Sequence, residues 1–278
     1  MRHSRLAAAF AVAALILTGA GCDLSKKIDW RLPFSLGDGL PSGDPAAATA
    51  GIALEQGLEF TVRPSALGVS GAIDEAFGLD ARAMSVTVAH ADPERGIALL
   101  WETASATGSL MLAEYEGAQA MLLPAFWPKG ASSAEGNGGL WLSRAAYDGL
   151  SAVGKTEWRL GLAENAFSTL SKAFATFNDL SAKLSGSATS TQVRSPFTIE
   201  KTAVIEAYPM TVDGRIVLVR AVKASSWFAE FLILENRENP LILKVTVNPV
   251  AAPALKSLES AEIRWEELGY EITSIALP

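Results

Sequence analysis

Sustained alternation of apolar and polar residues marks a short stretch near residue 90 and most of the last eighty residues. Met84, Val86 and Val88 fall on one side of an extended run, Ile97, Leu99 and Trp101 on one side of the next, and Asp92-Pro93-Glu94-Arg95-Gly96 lies between. A period of two gathers those side chains on one face, so the pair predicts a hairpin with a buried side. Further strands are predicted over 109–115, 119–126 and 156–162, with a polar Gly-rich loop over 129–139 between the last two. Beyond that, runs at 197–212 and 215–223 flank Asp213-Gly214, a two-residue turn signal whose second residue tolerates a positive φ. Runs at 227–234 and 241–247 flank Glu235-Asn236-Arg237-Glu238-Asn239-Pro240, which makes an antiparallel meander of four strands. In the last of these Leu241, Leu243, Val245 and Val247 share one face, and Lys244 and Thr246 take the other.

Two stretches change period. Over 164–184, Phe167, Leu170, Phe174, Phe177 and Leu184 fall at helical spacing with Ser168, Lys172, Asn178 and Asp179 between them. Over 254–268, Leu258, Ala261, Trp265 and Leu268 form one stripe, Glu259, Glu262, Glu266 and Glu267 occupy the solvated side, and Gly269 is placed to end the helix. A last strand follows over 270–277. The predicted fold class is α+β: a mainly antiparallel, strongly curved or barrel-like sheet with one or two packed amphipathic helices. Residues 22–51 hold Gly37-Asp38-Gly39, Pro41-Ser42-Gly43 and Asp44-Pro45 and show no period, which predicts a flexible tether, with a first strand over 30–36 as the alternative. A β-rich part over 52–184 ends in the first amphipathic helix, and 193–278 supplies the meander with its helix and strand. The small polar linker 185–191 between them leaves one domain or two open.

Composition then narrows the class. With 49% hydrophobic and 19% charged residues the chain has ample material for a core. Its 23 Lys and Arg against 30 Asp and Glu exclude a general nucleic-acid binder, which needs a basic surface. The first residues, Met1-Arg2-His3-Ser4-Arg5, are basic, and the sixteen from Leu6 to Gly21 carry no charge, short of the about 18 apolar residues expected of a spanning helix. This is the layout of a secretory signal peptide over 1–21. The chain's single cysteine, Cys22, comes directly after the small residues Thr18-Gly19-Ala20-Gly21. The segment Leu17-Thr18-Gly19-Ala20-Gly21-Cys22 resembles the lipobox of bacterial lipoproteins, departing from it in having Gly19 where that family usually has Leu. The resemblance implies cleavage before Cys22, a diacylglycerol on its sulfur and an acyl chain on its amine. Acyl chains contribute about 0.8 kcal/mol per buried methylene, enough together for a membrane anchor outside the cytoplasm. Asp23 resembles the inner-membrane retention signal of enteric bacteria, while other bacteria follow different rules, so inner and outer membrane both stay open.

Candidate chemistry is sparse. One cysteine and two histidines exclude a disulfide scaffold and a Cys/His zinc cluster. Gly149-Leu150-Ser151-Ala152-Val153-Gly154-Lys155-Thr156 matches the phosphate-binding loop pattern in every letter, yet a capped helix is predicted before it, at Ser143 to Asp148, and strand alternation after it, so no nucleotide site is expected. His90 and Asp92 share a strand end but lack a nucleophile elbow to complete a triad. Glu114 and Glu116 share a strand face, a spacing open to paired carboxylates or to ordinary hairpin-end charges. Trp101, Trp141, Trp158, Trp227 and Phe231 either line an apolar ligand cavity or fill a core. With no catalytic, metal or cofactor residue assigned, the expectation is a lipid-anchored, non-catalytic binding domain for an apolar molecule or an envelope protein partner. The alternative is a hydrolase acting on envelope material through carboxylates that the sequence does not place.

Overall fold

Where alternation is sustained, strands form. The structure, a computed structural model, describes residues 43–65, 83–92, 95–160, 198–248 and 269–278, within one compact unit from Gly43 to Pro278. Its elements are α1 (Pro45–Ala50), β1 (Glu59–Ser65), β2 (Met84–Asp92), β3 (Gly96–Glu102), β4 (Thr107–Ala113), β5 (Ala120–Met121), β6 (Gly130–Glu135), α2 (Arg144–Ala152), β7 (Lys155–Glu157), β8 (Arg159–Leu160), β9 (Thr198–Val212), β10 (Arg215–Ser225), β11 (Ala229–Leu234), β12 (Ile242–Val247) and β13 (Gly269–Ala276). Eleven strands make one sheet in the order β6-β4-β3-β2-β1-β13-β12-β11-β10-β9-β7, while β5 and β8 form a separate parallel pair. The sheet is mostly antiparallel but mixed, since β6 runs parallel to β4 and β9 parallel to β13.

The C-terminal meander has the predicted register. Asp213 and Gly214 take φ of 49° and 72°, the mirror-image turn that matches strand twist, and Val212 pairs with Arg215 across it. Strand β13 gives one edge to β1 over its full length. It divides its other edge between β12, at Glu271 and Tyr270, and β9, at Ser274 and Ile275. The Asp213 N–H donates to the Ile275 carbonyl at 2.9 Å, and the Leu277 N–H donates to Asp213 Oδ1 at 2.9 Å. Strands β9 to β13 thereby return on themselves through a two-residue pairing, and the sheet stops short of a clean barrel. Bulges that place an extra residue on β2, β9, β12 and β13 supply the coiling. One connected core joins Val86, Leu99 and Leu110 of the N-terminal strands to Phe231, Leu243, Val245 and Tyr270 of the meander.

Four expectations need correction. Residues 130–135, read as loop, form edge strand β6: its small residues Ala131, Ser132, Ser133 and Ala134 carry no apolar period, and the pairing comes from the β4 backbone. The strand expected over 119–126 shrinks to Ala120–Met121, because Pro124, which has no N–H to give a ladder, opens a 3-10 turn, Pro124–Phe126. The run from 156 splits into β7 and β8 around the buried Trp158. The last residues of the tether belong to the domain. The Asp44 carboxylate caps α1 by accepting from the Ala46 N–H at 2.9 Å, and Thr49 Oγ1 accepts from the Arg220 N–H at 2.7 Å. The helices expected over 164–184 and 254–268, the linker 185–191 and the strand considered over 30–36 lie outside the described residues.

Candidate functional site

The N-terminal strands build a sheet with two unlike faces. Inward, Val86 pairs with Trp101, Val88 with Leu99 and Leu99 with Leu110, all buried. Outward, two rows of side chains cross four strands. Thr87, Leu100, Ser109 and Ala131 make one row, and His90, Ala98, Met111 and Ser133 make the other. A bulge after Val88 turns His90 outward, where it is exposed. Leu100, on β3 two strands in from the β6 edge, keeps 51% of its surface exposed. Across both rows no residue carries a fixed charge, so a surface of hydroxyls, small apolar groups, the His90 imidazole and the Leu100 and Met111 side chains lies on the outer side. At its border β6 ends the sheet, and among the described residues nothing pairs with its outer edge.

The strand aromatics are engaged in packing. Trp141 meets Phe60 edge to face at 5.7 Å, and its indole N–H donates to Asn239 Oδ1 at 2.7 Å. Trp101 covers Gly108 so closely that a Cβ there would sit 2.5 Å from the ring. Trp158 is 1% exposed, and Phe231 meets Phe228 edge to face at 5.6 Å. Trp227 is half-buried.

Charged groups gather in two places. Around the β11–β12 loop, Arg237 binds Asp148 through two hydrogen bonds of 2.8 Å, and Arg144 reaches Glu238 at 2.7 Å and Glu116 at 3.4 Å. Arg220 pairs with Glu235 at 2.6 Å and with Glu206 at 3.2 Å. The hydrogen bonds from Arg237 hold the Asp148 carboxyl below the usual carboxylate range. Each charge here answers an opposite one, and the network fastens α2 and the turn at Tyr115–Gly117 to the loop. On the meander, Glu271 accepts from the Tyr208 hydroxyl at 3.2 Å and from Lys244 Nζ at 3.1 Å. Burial first, and the Glu271 charge second, push the Tyr208 phenol above its ordinary value.

The sequence candidates fare unequally. Glu114 and Glu116 do not share a strand face: Glu114 has φ of 56° before the 3-10 turn, and Glu116 turns to Arg144. Asp92 accepts from the Arg95 N–H at 3.1 Å, a bond that shapes the predicted hairpin turn. In the phosphate-loop match, Gly149 lies inside α2 and Lys155 opens β7. Helix, turn and strand thus stand where phosphate binding needs strand, loop and helix N-terminus. Among the described residues no three His, Cys, Asp or Glu side chains are grouped as metal ligands. Cys22 and residues 259, 262, 266 and 267 lie outside the described residues. Strand β6 was missed because it carries only small residues, and the outer face because two of its positions lie on that strand. Comparison of the chain with family profiles, curated proteins and solved structures finds no match.

Proposed function

We propose that the chain is a lipid-anchored cell-envelope protein, held to a membrane through Cys22, whose barrel-like sheet domain binds a protein partner on the outer face of β2, β3, β4 and β6. The observation that carries this reading is the half-exposed, uncharged double row around the exposed Leu100. A partner's backbone and side chains can lie against such a surface without stripping water from ions. An apolar small molecule is the weaker occupant, since Trp101, Trp141, Trp158 and Phe231 are packed against protein groups. The hydrolase reading has the least support, because Glu114 and Glu116 stand apart and the Glu271 carboxylate is occupied by Tyr208 and Lys244.

A photoreactive side chain placed at Leu100, with a second at Val153 as control, tests the surface in intact membranes. Val153 is 70% exposed but stands alone on a turn. One discrete protein adduct from Leu100 and none from Val153 is expected, and Cys22→Ala should release the protein from the membrane fraction. Identical adduct patterns at the two positions, or none at Leu100, would remove the partner reading. An unmodified Cys22 thiol in the intact mass would remove the anchor.

A further inference from the structure

We infer that β6 is a self-pairing edge, through which two copies of this chain join their sheets in antiparallel register centred on Ser132. The inference goes beyond the proposed function: the edge takes a second copy of the chain and leaves the outer face of the sheet free for a further partner. Backbone parity fixes which groups are available. The Gly136 N–H donates to the Ala113 carbonyl at 3.3 Å, so even-numbered residues of β6 turn their N–H and C=O toward β4. Ala131, Ser133 and Glu135 therefore turn theirs to the open side. In a two-fold pairing those residues must face one another, and centring on Ser132 sets Ala131 against Ser133 of the second copy, with both backbone bonds made twice. The same register puts Lys129, just before the strand at the turn that Gly130 makes with φ of 79°, at the same end as Glu135 of the second copy, again twice, whereas a shift of the centre by one residue moves each such pair two positions apart.

Edge strands are ordinarily guarded by charge, proline or brevity. The far edge of the sheet follows that habit, since β7 has three residues and two of them are Lys155 and Glu157. Strand β6 does the reverse: Gly130-Ala131-Ser132-Ser133-Ala134 is uncharged, Ala131 and Ser133 are exposed, and charges stand only at the two ends, where self-pairing uses them. A short edge of small residues binds weakly by itself. Confinement of anchored copies to one membrane would raise their effective concentration, and the joined sheets would carry the Leu100 rows of both copies on one side.

Charge reversal tests the register, with the full-length protein followed by light scattering across a concentration series in detergent. Lys129→Glu and Glu135→Lys each turn two attractive pairs into repulsive ones, so each should weaken self-association about tenfold at low salt, and less at high salt. The double variant restores both pairs in mirrored form and should recover association. Ser132→Cys should form an intermolecular disulfide on mild oxidation, while Val153→Cys should not. A protein that stays monomeric throughout, or a dimer indifferent to the reversals, would overturn self-pairing. A monomer whose Leu100 still captures a different protein would overturn it while leaving the proposed function in place. A β6 dimer with no further adduct at Leu100 would keep self-pairing and remove any partner beyond it.

Discussion

The Asn239 side chain accepts from the Trp141 indole at 2.7 Å and donates to the Ile52 carbonyl at 3.0 Å, with no surface left to water. It is a joint between three segments far apart in the chain. Asn239→Ala would leave a buried indole N–H without an acceptor, while Asn236 still serves the Ile52 carbonyl. A loss of about 2–4 kcal/mol in denaturant unfolding is expected. Asn239→Asp keeps the acceptor, loses the donor and buries a carboxylate. It should be at least as damaging at neutral pH and recover partly as acid neutralises the new group. A cost under about 0.5 kcal/mol for the alanine change would mean that water takes over both roles. In the sequence Asn239-Pro240 signals only a turn. Trp141 was recognisable as an aromatic to be placed, but its partner was not, because that contact spans 98 positions.

At the scale of elements, local chemistry decided what could be read. The β9–β10 hairpin was legible because Asp213-Gly214 sits between two strong alternating runs, and the turn forms there with both φ values positive. Gly214→Val should cost on the order of 1–3 kcal/mol through backbone strain, although a Cβ there would touch nothing within 4 Å. The same change at Gly43, exposed and equally free of neighbours, should cost almost nothing. Equal shifts in the two unfolding midpoints would place the strain elsewhere than in the turn. Strand β6 was illegible for the opposite reason. Its residues have little strand propensity and nothing to bury, and its existence depends on hydrogen bonds to β4, twenty-two positions earlier in register. The helix α1 was hidden in the same way: six residues of Pro, Ala and Thr are too few to hold a helix alone, and the Arg220 backbone and the Asn236 side chain fix it in place. The candidate surface inherits this blindness, since two of its eight positions belong to β6.

All four tyrosines of the chain lie in the described fold, so its integrity can be read through their titration. Burial raises Tyr115, Tyr147, Tyr208 and Tyr270 above the ordinary phenol value of 10.0, assisted by neighbouring carboxylates at the first three, while the Ser151 hydrogen bond pulls Tyr147 back. Tyr270 has no surface beyond 1% and donates to the Ile242 carbonyl at 3.0 Å, tying β13 to the start of β12 where their own pairing has ended. In the unfolded chain each phenol loses its proton near pH 10, while in the folded chain each keeps it. Unfolding therefore releases protons above that pH, and the tyrosine contribution to stability should be level below about pH 9 and fall steadily as pH rises beyond 10. Absorbance at alkaline pH should show little phenolate near pH 10, with Tyr147 the first to ionise and the others appearing together as the near-ultraviolet circular dichroism of the packed tryptophans collapses. A smooth titration of several tyrosines at about pH 10 with that dichroism intact would show that the hydroxyls of Tyr115, Tyr208 and Tyr270 reach water, and that β9, β12 and β13 are packed more loosely than their hydrogen bonds require.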